Sequence, residues 1–197
     1  MGIDDLEHVQ FEHRAQWRSW LESNHATSSG VWVITYKKRA GKPTPSYEDL
    51  VLEALCFGWI DSKPGKVDHE RTRLYFCPRK KGGVWAATNK ARIEVLLAEG
   101  LMTSAGQAVI DQAKADGSWT TIDGAESAEV PPDLSACFLV YPGSEERFLA
   151  FPTGARKAIL QWISLAKRPE TRARRIDETA RLAQQNIRAN QWSPKSP

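Results

Sequence analysis

Strand-forming sequence is confined to the first 80 residues of this chain, whereas the periodic segments beyond residue 132 are all helical. β-Branched and aromatic residues fill Val31–Tyr36, and residues 59–61 and 72–76 are shorter strand candidates. Between positions 155 and 166, apolar residues recur at helical spacing instead. Strands at one end and helices at the other are typical of an α+β protein. The sequence therefore predicts a small β-sheet with flanking helices, followed by a C-terminal all-helical module.

A stretch without periodicity separates the two patterns. Residues 119–132 are dominated by Thr, Asp, Gly, Ala, Glu and Pro, a composition typical of a linker. We therefore expect an α+β part over residues 1–118, a linker over 119–132 and a helical module over 133–192. The last residues, 193–197, are expected to form a disordered tail.

Composition limits the classes of function. Three cysteines, an odd number without Cys-x-x-Cys spacing, make a disulfide framework or a metal site unexpected, and we predict no cofactor. The N-terminus carries acidic residues where a signal peptide would be basic and then apolar. No apolar run approaches the ~18 residues of a membrane span. We therefore expect a cytoplasmic protein without membrane insertion.

A candidate binding site lies between positions 59 and 85. Asp61 follows the apolar pair Trp59-Ile60 at the end of one candidate strand, and Arg79 follows the end of the next. A guanidinium matches carboxylate or phosphate groups, while the indoles of Trp59 and Trp85 offer apolar or stacking surface. Because the two strand ends are short enough to pair as neighbours, we predict that Trp59, Asp61, Arg79 and Trp85 line one concavity.

Lys38 and Asn89 complete the predicted set of ligand-binding residues. Lys38 stands in a basic run after the first strand, and Asn89 lies at the start of a predicted helix. Structural alternatives remain open for the charged members. Asp61 can cap the loop that follows it, Arg79 can form a salt bridge with Asp61, and a charged strand end can simply be solvated.

Two other functions need other residues. A hydrolase would need a general base close to Asp61, for which His25 and His69 are the candidates, although no catalytic motif singles out any residue. Binding of nucleic acid could use the basic C-terminal segment, where Arg168, Arg172 and Arg175 stand at helical spacing. That segment lacks the interleaved aromatic residues of a single-strand binder, so nucleic acid is the weaker expectation.

Several short runs resemble one bacterial family. In the first part of the chain they are Trp20-Leu21 with Asn24-His25, Gly30-Val31-Trp32, Tyr36-Lys37-Lys38 and residues 54–62. In the last part they are Trp162-Ile163, Ala166-Lys167, Glu170-Thr171-Arg172 and Arg174-Arg175-Ile176. Through these runs the chain resembles the YdeI/OmpD-associated (OmdA) proteins, which are called bacteriocin-protection proteins.

The resemblance implies an α+β portion, a helical module and a role in stress or antimicrobial resistance, but it implies no reaction. Together with the high count of eight Trp residues, it favours non-catalytic binding. The expected ligand is a small anionic or aromatic molecule, or a partner. The hydrolase that uses Asp61 with a histidine, and the nucleic-acid binder, remain alternatives.

Overall fold

The structure, a computed structural model, describes residues 2–191. The tail predicted for residues 193–197 lies outside the described residues. The described chain divides into two compact units. The first comprises Met1–Gly83 and Thr88–Trp119, and the second comprises Val84–Ala87 and Thr120–Pro197.

The first unit combines a sheet with helices. Its elements, in chain order, are β1 (His8–Gln10), α1 (Arg14–Asn24), β2 (Val31–Tyr36), α2 (Tyr47–Cys56), β3 (Trp59–Lys66), β4 (Arg71–Pro78), α3 (Ala87–Ala98) and α4 (Ser104–Ala115). The strands form one sheet in the order β1-β2-β4-β3, in which β1 runs parallel to β2 and the other pairs are antiparallel. The predicted α+β class is therefore confirmed.

One face of this sheet packs against α1 and α2. The ring centroids of Trp17 on α1 and Phe76 on β4 lie 5.3 Å apart, and the Trp17 indole donates to the Leu50 carbonyl on α2 over 3.0 Å. Val31 and Val33 on β2 are buried beneath the helices. Burial of these large side chains is the main source of stability in this unit.

Helix α2 begins where the sequence predicts a capping box. The Ser46 hydroxyl accepts from the Asp49 backbone N–H over 3.0 Å, and the Asp49 carboxylate accepts from the Ser46 backbone N–H over 3.0 Å. The helix ends before Gly58, whose φ is +72°. A Cβ at Gly58 would lie 2.7 Å from the Val109 side chain, so the close approach of α4 also requires glycine.

Strand β3 is longer than the three residues that the sequence predicts. It continues to Lys66 through Pro64 and Gly65, with a register shift between Asp61 and Pro64. Because β3 is an edge strand, a proline without a backbone N–H can be accommodated at such a bulge. The tight turn to β4 is held by Asp68, whose carboxylate accepts from the backbone of Glu70 and Arg71 over 2.9 and 2.7 Å.

The second unit is helical. Its elements are α5 (Asp123–Glu126), α6 (Pro132–Phe138), α7 (Ser144–Ala150), α8 (Thr153–Ser164) and α9 (Pro169–Gln184). Its core includes Leu134, Phe148 and Ile159, all fully buried. The segment 119–132, for which the sequence predicts a linker, contains α5 and places Ala125 in this core. Its small residues allow a short helix to pack there.

Among residues 2–191, no helix is both long enough and apolar enough to cross a membrane.

Candidate functional site

A cleft of about 380 Å³ opens between the start of α2 and the strands of the sheet. Its walls combine apolar groups with hydroxyls and a single carboxylate. The lining residues are Thr35, Tyr47, Leu50, Asp61, Ser62, Pro64, Thr72, Arg73 and Leu74. The strand register brings Asp61, Pro64 and Leu74 together: Asp61 pairs with Phe76, and Pro64 pairs with Leu74, so these residues lie on the sheet face that α2 covers.

Asp61 is the acidic group of the cleft, and its hydrogen-bond partner is Tyr47. The Tyr47 hydroxyl at the start of α2 donates to a carboxylate oxygen of Asp61 over 3.0 Å. Burial raises the pKa of Tyr47, and the hydrogen bond to Asp61 raises it further. The phenol is therefore neutral at physiological pH, and the second carboxylate oxygen can accept a hydrogen bond from a ligand.

Two arginines contribute positive charge around Asp61. Burial lowers the pKa of Arg79 to about 10, while the Asp61 carboxylate acts in the opposite direction. Arg92 on α3 donates to both carboxylate oxygens of Glu48 on α2, over 2.8 and 2.7 Å, and this hydrogen bonding raises the pKa of Arg92. The Asp61 charge also contributes to raising it. Asp61 thus lies within the electrostatic reach of both guanidiniums.

Asn89 takes part in this group through Arg92. The Asn89 side-chain oxygen accepts a hydrogen bond from Nη1 of Arg92 over 2.9 Å, and Asn89 itself is buried. Asn89 and Arg92 stand three residues apart on α3, so they share one face of that helix. Asn89 therefore orients Arg92, and Glu48 fixes the opposite side of the same guanidinium.

Trp59 lies in the core of the first unit. It shares the sheet face of Asp61, but it packs edge-on against Trp20 of α1, with 5.8 Å between ring centroids. Its indole N–H donates to the His25 carbonyl over 3.2 Å. Only 1% of its surface is exposed, so Trp59 supports the fold beside the cleft.

Lys38 and Trp85 are not among the residues that line the cleft. Lys38 begins an exposed 3₁₀ turn after β2, and Trp85 is a buried residue of the second unit. The basic neighbours of Lys38 contact the β3–β4 turn. Lys37 donates to the Asp68 carbonyl over 2.7 Å, and Arg39 donates to the His69 carbonyl.

The histidines considered for a hydrolase have other contacts. The His25 ring lies 5.1 Å from the Phe57 ring, and its Nδ1 lies 2.8 Å from the Leu21 carbonyl oxygen. His69 lies in the turn between β3 and β4. No histidine lines the cleft in the part of the chain that the structure describes. Over that same part, no cluster of His, Cys, Asp and Glu could hold a metal ion.

The arginines considered for nucleic acid make internal contacts in the second unit. Arg172 donates twice to the Asp133 carboxylate, over 2.6 and 2.9 Å. Arg175 lies over the Trp162 ring, 4.9 Å from its centroid, and donates to the Trp162 carbonyl. Two members of the predicted basic stripe are therefore committed to contacts within α6, α8 and α9.

Sequence reasoning missed two residues of the site, Tyr47 and Arg92. Tyr47 reaches Asp61 across 14 positions of sequence, and Arg92 reaches Glu48 across 44. Local signals for them exist, because Tyr47 is the first residue of a capped helix and Arg92 follows Asn89 at helical spacing. Neither signal identifies a partner.

Two family models match the chain. Residues 9–109 match a domain of unknown function, DUF8412, and residues 127–186 match OmdA, described as bacteriocin-protection, YdeI or OmpD-associated. The second match confirms the predicted relationship for the helical part and associates it with bacteriocin protection. The part that contains the cleft matches the model without a known function. No curated protein and no solved structure gives a significant match.

Proposed function

This chain belongs to the DUF8412 family and carries an OmdA segment, and we propose that it binds a small ligand in the Asp61 cleft without catalysis. The proposed role is associated with bacteriocin protection. The observation that carries the proposal is the cleft itself. It is about 380 Å³ in volume and brings Asp61 and Tyr47 together against apolar walls. Pockets of this size and composition are typical of sites for small molecules.

The chemistry of the walls favours an aromatic ligand that donates a hydrogen bond or carries a positive charge. Leu50, Pro64 and Leu74 supply apolar surface, and Asp61 supplies an acceptor that is negatively charged. Arg73 also borders the cleft, but strand alternation directs its side chain to the opposite face of the sheet, where the guanidinium pairs with Asp4. Of the aromatic and anionic ligands expected from the sequence, the aromatic class is therefore the better match.

Binding in the cytoplasm is part of the proposal. Cys56, Cys77 and Cys137 are all free thiols. Free thiols fit a reducing compartment.

The two alternatives have less support. A hydrolase mechanism would need a base beside Asp61, and the group found hydrogen-bonded to it is the neutral Tyr47 hydroxyl. Binding of nucleic acid through the C-terminal stripe would require Arg172 and Arg175 to leave Asp133 and Trp162.

A thermal-shift comparison tests the proposal. Benzylamine and tyramine serve as cationic aromatic probes, and benzoate serves as an anionic probe of similar size. We expect the amines to raise the melting temperature of the wild type at millimolar concentration, because binding to the native state stabilises it. The shift should disappear in Asp61→Asn, which removes the charge but keeps the shape.

Asp111→Asn is the matched control, because Asp111 lies on the exposed face of α4 and bonds to Gln107. It should respond to the amines as the wild type does. Equal shifts in wild type and Asp61→Asn would refute binding at the cleft. A larger shift with benzoate than with the amines would reverse the proposed ligand class.

A further inference from the structure

On the sheet face opposite the cleft, the guanidinium of Arg73 lies over the ring of Trp32. Its central carbon lies 4.0 Å from the centroid of the Trp32 ring. Gly65 of the neighbouring strand lies against the same side chain, since a Cβ there would be 2.8 Å from Arg73 Nε. A side chain confined in this way loses little further freedom when it binds, so Arg73 is a preorganised receptor for a carboxylate.

Both terminal nitrogens of this guanidinium contact the N-terminal segment of the chain. Arg73 Nη2 lies 2.7 Å from a carboxylate oxygen of Asp4, and Nη1 lies 2.5 Å from His8 Nε2. Because arginine only donates, His8 Nε2 accepts, and Nδ1–H donates to the Leu6 carbonyl over 3.0 Å. Next to Arg73, the Trp32 indole N–H donates to the Ile3 carbonyl over 2.7 Å.

We call residues 3–10 the N-terminal strap. Its backbone adds to the sheet edge in the manner of a bound peptide. His8 pairs with Trp32 and Gln10 pairs with Ile34 in a parallel ladder, and the Trp32 backbone N–H donates to the Glu7 carbonyl over 2.9 Å. Main-chain pairing with an edge strand, joined to one or two side-chain anchors, is a common mode of peptide recognition.

No residue of the strap is fully buried, and only Leu6 and Val9 are half-buried. None of Ile3, Asp4 and Asp5 is buried, and the Asp4 side chain is 62% exposed. The attachment of the strap therefore depends on polar contacts near the surface, which are individually weak. Trp32, by contrast, is fully buried and is positioned by the sheet. The surface that holds the strap is thus built by β2 and β4.

We propose that the β2 edge with Trp32 and Arg73 is a docking site for an extended acidic peptide segment of a partner protein, and that the strap occupies this site in cis. The carboxylate of Asp4 stands where an acidic side chain of the partner would bind. Displacement of the strap leaves β2 as an open edge beside a guanidinium fork. The site is independent of the Asp61 cleft, because strand alternation directs Arg73 and Asp61 to opposite faces.

The test uses the full chain and a fluorescent peptide with the sequence of residues 2–10. We compare the wild type with Asp4→Asn, which weakens the cis occupant and leaves Arg73 in place. Fluorescence anisotropy should show that Asp4→Asn binds the peptide about fivefold more tightly than the wild type does. This is the change expected from losing one partly exposed ion pair. Adding Arg73→Gln to Asp4→Asn should abolish the gain.

A second probe does not depend on how the Arg73 variant folds. The same peptide with Asn in place of its first Asp should bind Asp4→Asn at least fivefold more weakly than the acidic peptide. Equal affinity of wild type and Asp4→Asn, equal affinity for the two peptides, or no binding by Asp4→Asn at millimolar peptide would each overturn the proposal. Concentration-dependent dimerisation of Asp4→Asn in sedimentation would also overturn it, since the occupant would then be the strap of a second copy.

Discussion

Two carboxylates near helix α2, Glu53 and Asp61, have opposite environments. Glu53 is 2% exposed and is held by Arg14 over 2.5 Å and by Arg18 over 2.8 Å. Asp61 is half-buried, faces a cleft and has a neutral tyrosine as its hydrogen-bond partner. A carboxylate that is buried and bound by two arginines is inaccessible to a ligand, whereas one that faces a cleft and keeps an oxygen without a donor among the described residues can bind one. The same chemical group is thus structural at one position and available at the other.

The largest effect that this comparison predicts is at Glu53. Glu53→Ala removes the shared acceptor of Arg14 and Arg18, whose side chains are 35% and 29% exposed, so we expect a loss of roughly 2–3 kcal/mol in the free energy of unfolding. Urea denaturation followed by far-UV circular dichroism measures it. Glu94→Ala, at an exposed position of α3, is the control and should change stability by less than about 0.5 kcal/mol. A loss below about 1 kcal/mol for Glu53→Ala would remove the distinction between the two carboxylates.

A smaller effect is expected at the Asp133–Arg172 pair of the second unit, which is partly exposed on both sides. Hydrogen bonding from Arg172 is the main cause that lowers the pKa of Asp133. Because the pKa is lower in the folded state, the stabilisation is present above about pH 4, the range of an unfolded aspartate, and is lost as the pH falls through the folded value. Allowing for solvent screening, we expect Arg172→Gln to cost about 0.5 kcal/mol at pH 7.

Measurements at low pH test directly whether the stabilisation by Arg172 depends on the charge of Asp133. In unfolding experiments between pH 2 and pH 7, the difference between wild type and Arg172→Gln should shrink toward the acid end. A difference that is constant with pH would show that Arg172 stabilises α9 by packing alone.

The smallest change in stability is expected at Asp61. Asp61→Asn keeps an acceptor for Tyr47, so the free energy of unfolding should fall by less than about 0.5 kcal/mol. Chemical denaturation, performed beside the Glu53 variants, measures this difference. A loss of about 3 kcal/mol or more would mean that Asp61 serves chiefly as the buried counter-ion of Arg79. The alternative considered from the sequence, a structural salt bridge between Arg79 and Asp61, would then be correct.

Local features of the fold were predictable because their causes are local. The Ser46 capping box and the start of α9 at Pro169 both depend on residues within one helical turn. The full extent of β3 was not predictable, because Pro64 is tolerated only at an edge, and the sheet order decides which strand is the edge. The packing of Ala125 likewise depends on residues far along the chain that build its surroundings.

The sequence by itself determined the α+β class, the positions of strands β2 and β4, and the placement of Asp61 directly after Trp59-Ile60 on β3. Only the tertiary structure decided which charges meet. In the folded protein, Asp61 accepts a hydrogen bond from Tyr47, and Glu53 forms ion pairs with two arginines. Arg172 forms an ion pair with Asp133, which lies 39 positions away in the sequence. The physical reason is that secondary structure follows from short-range sterics and hydrogen bonds. The partner of a charged side chain instead depends on strand register and helix packing, which arise only when the whole core forms.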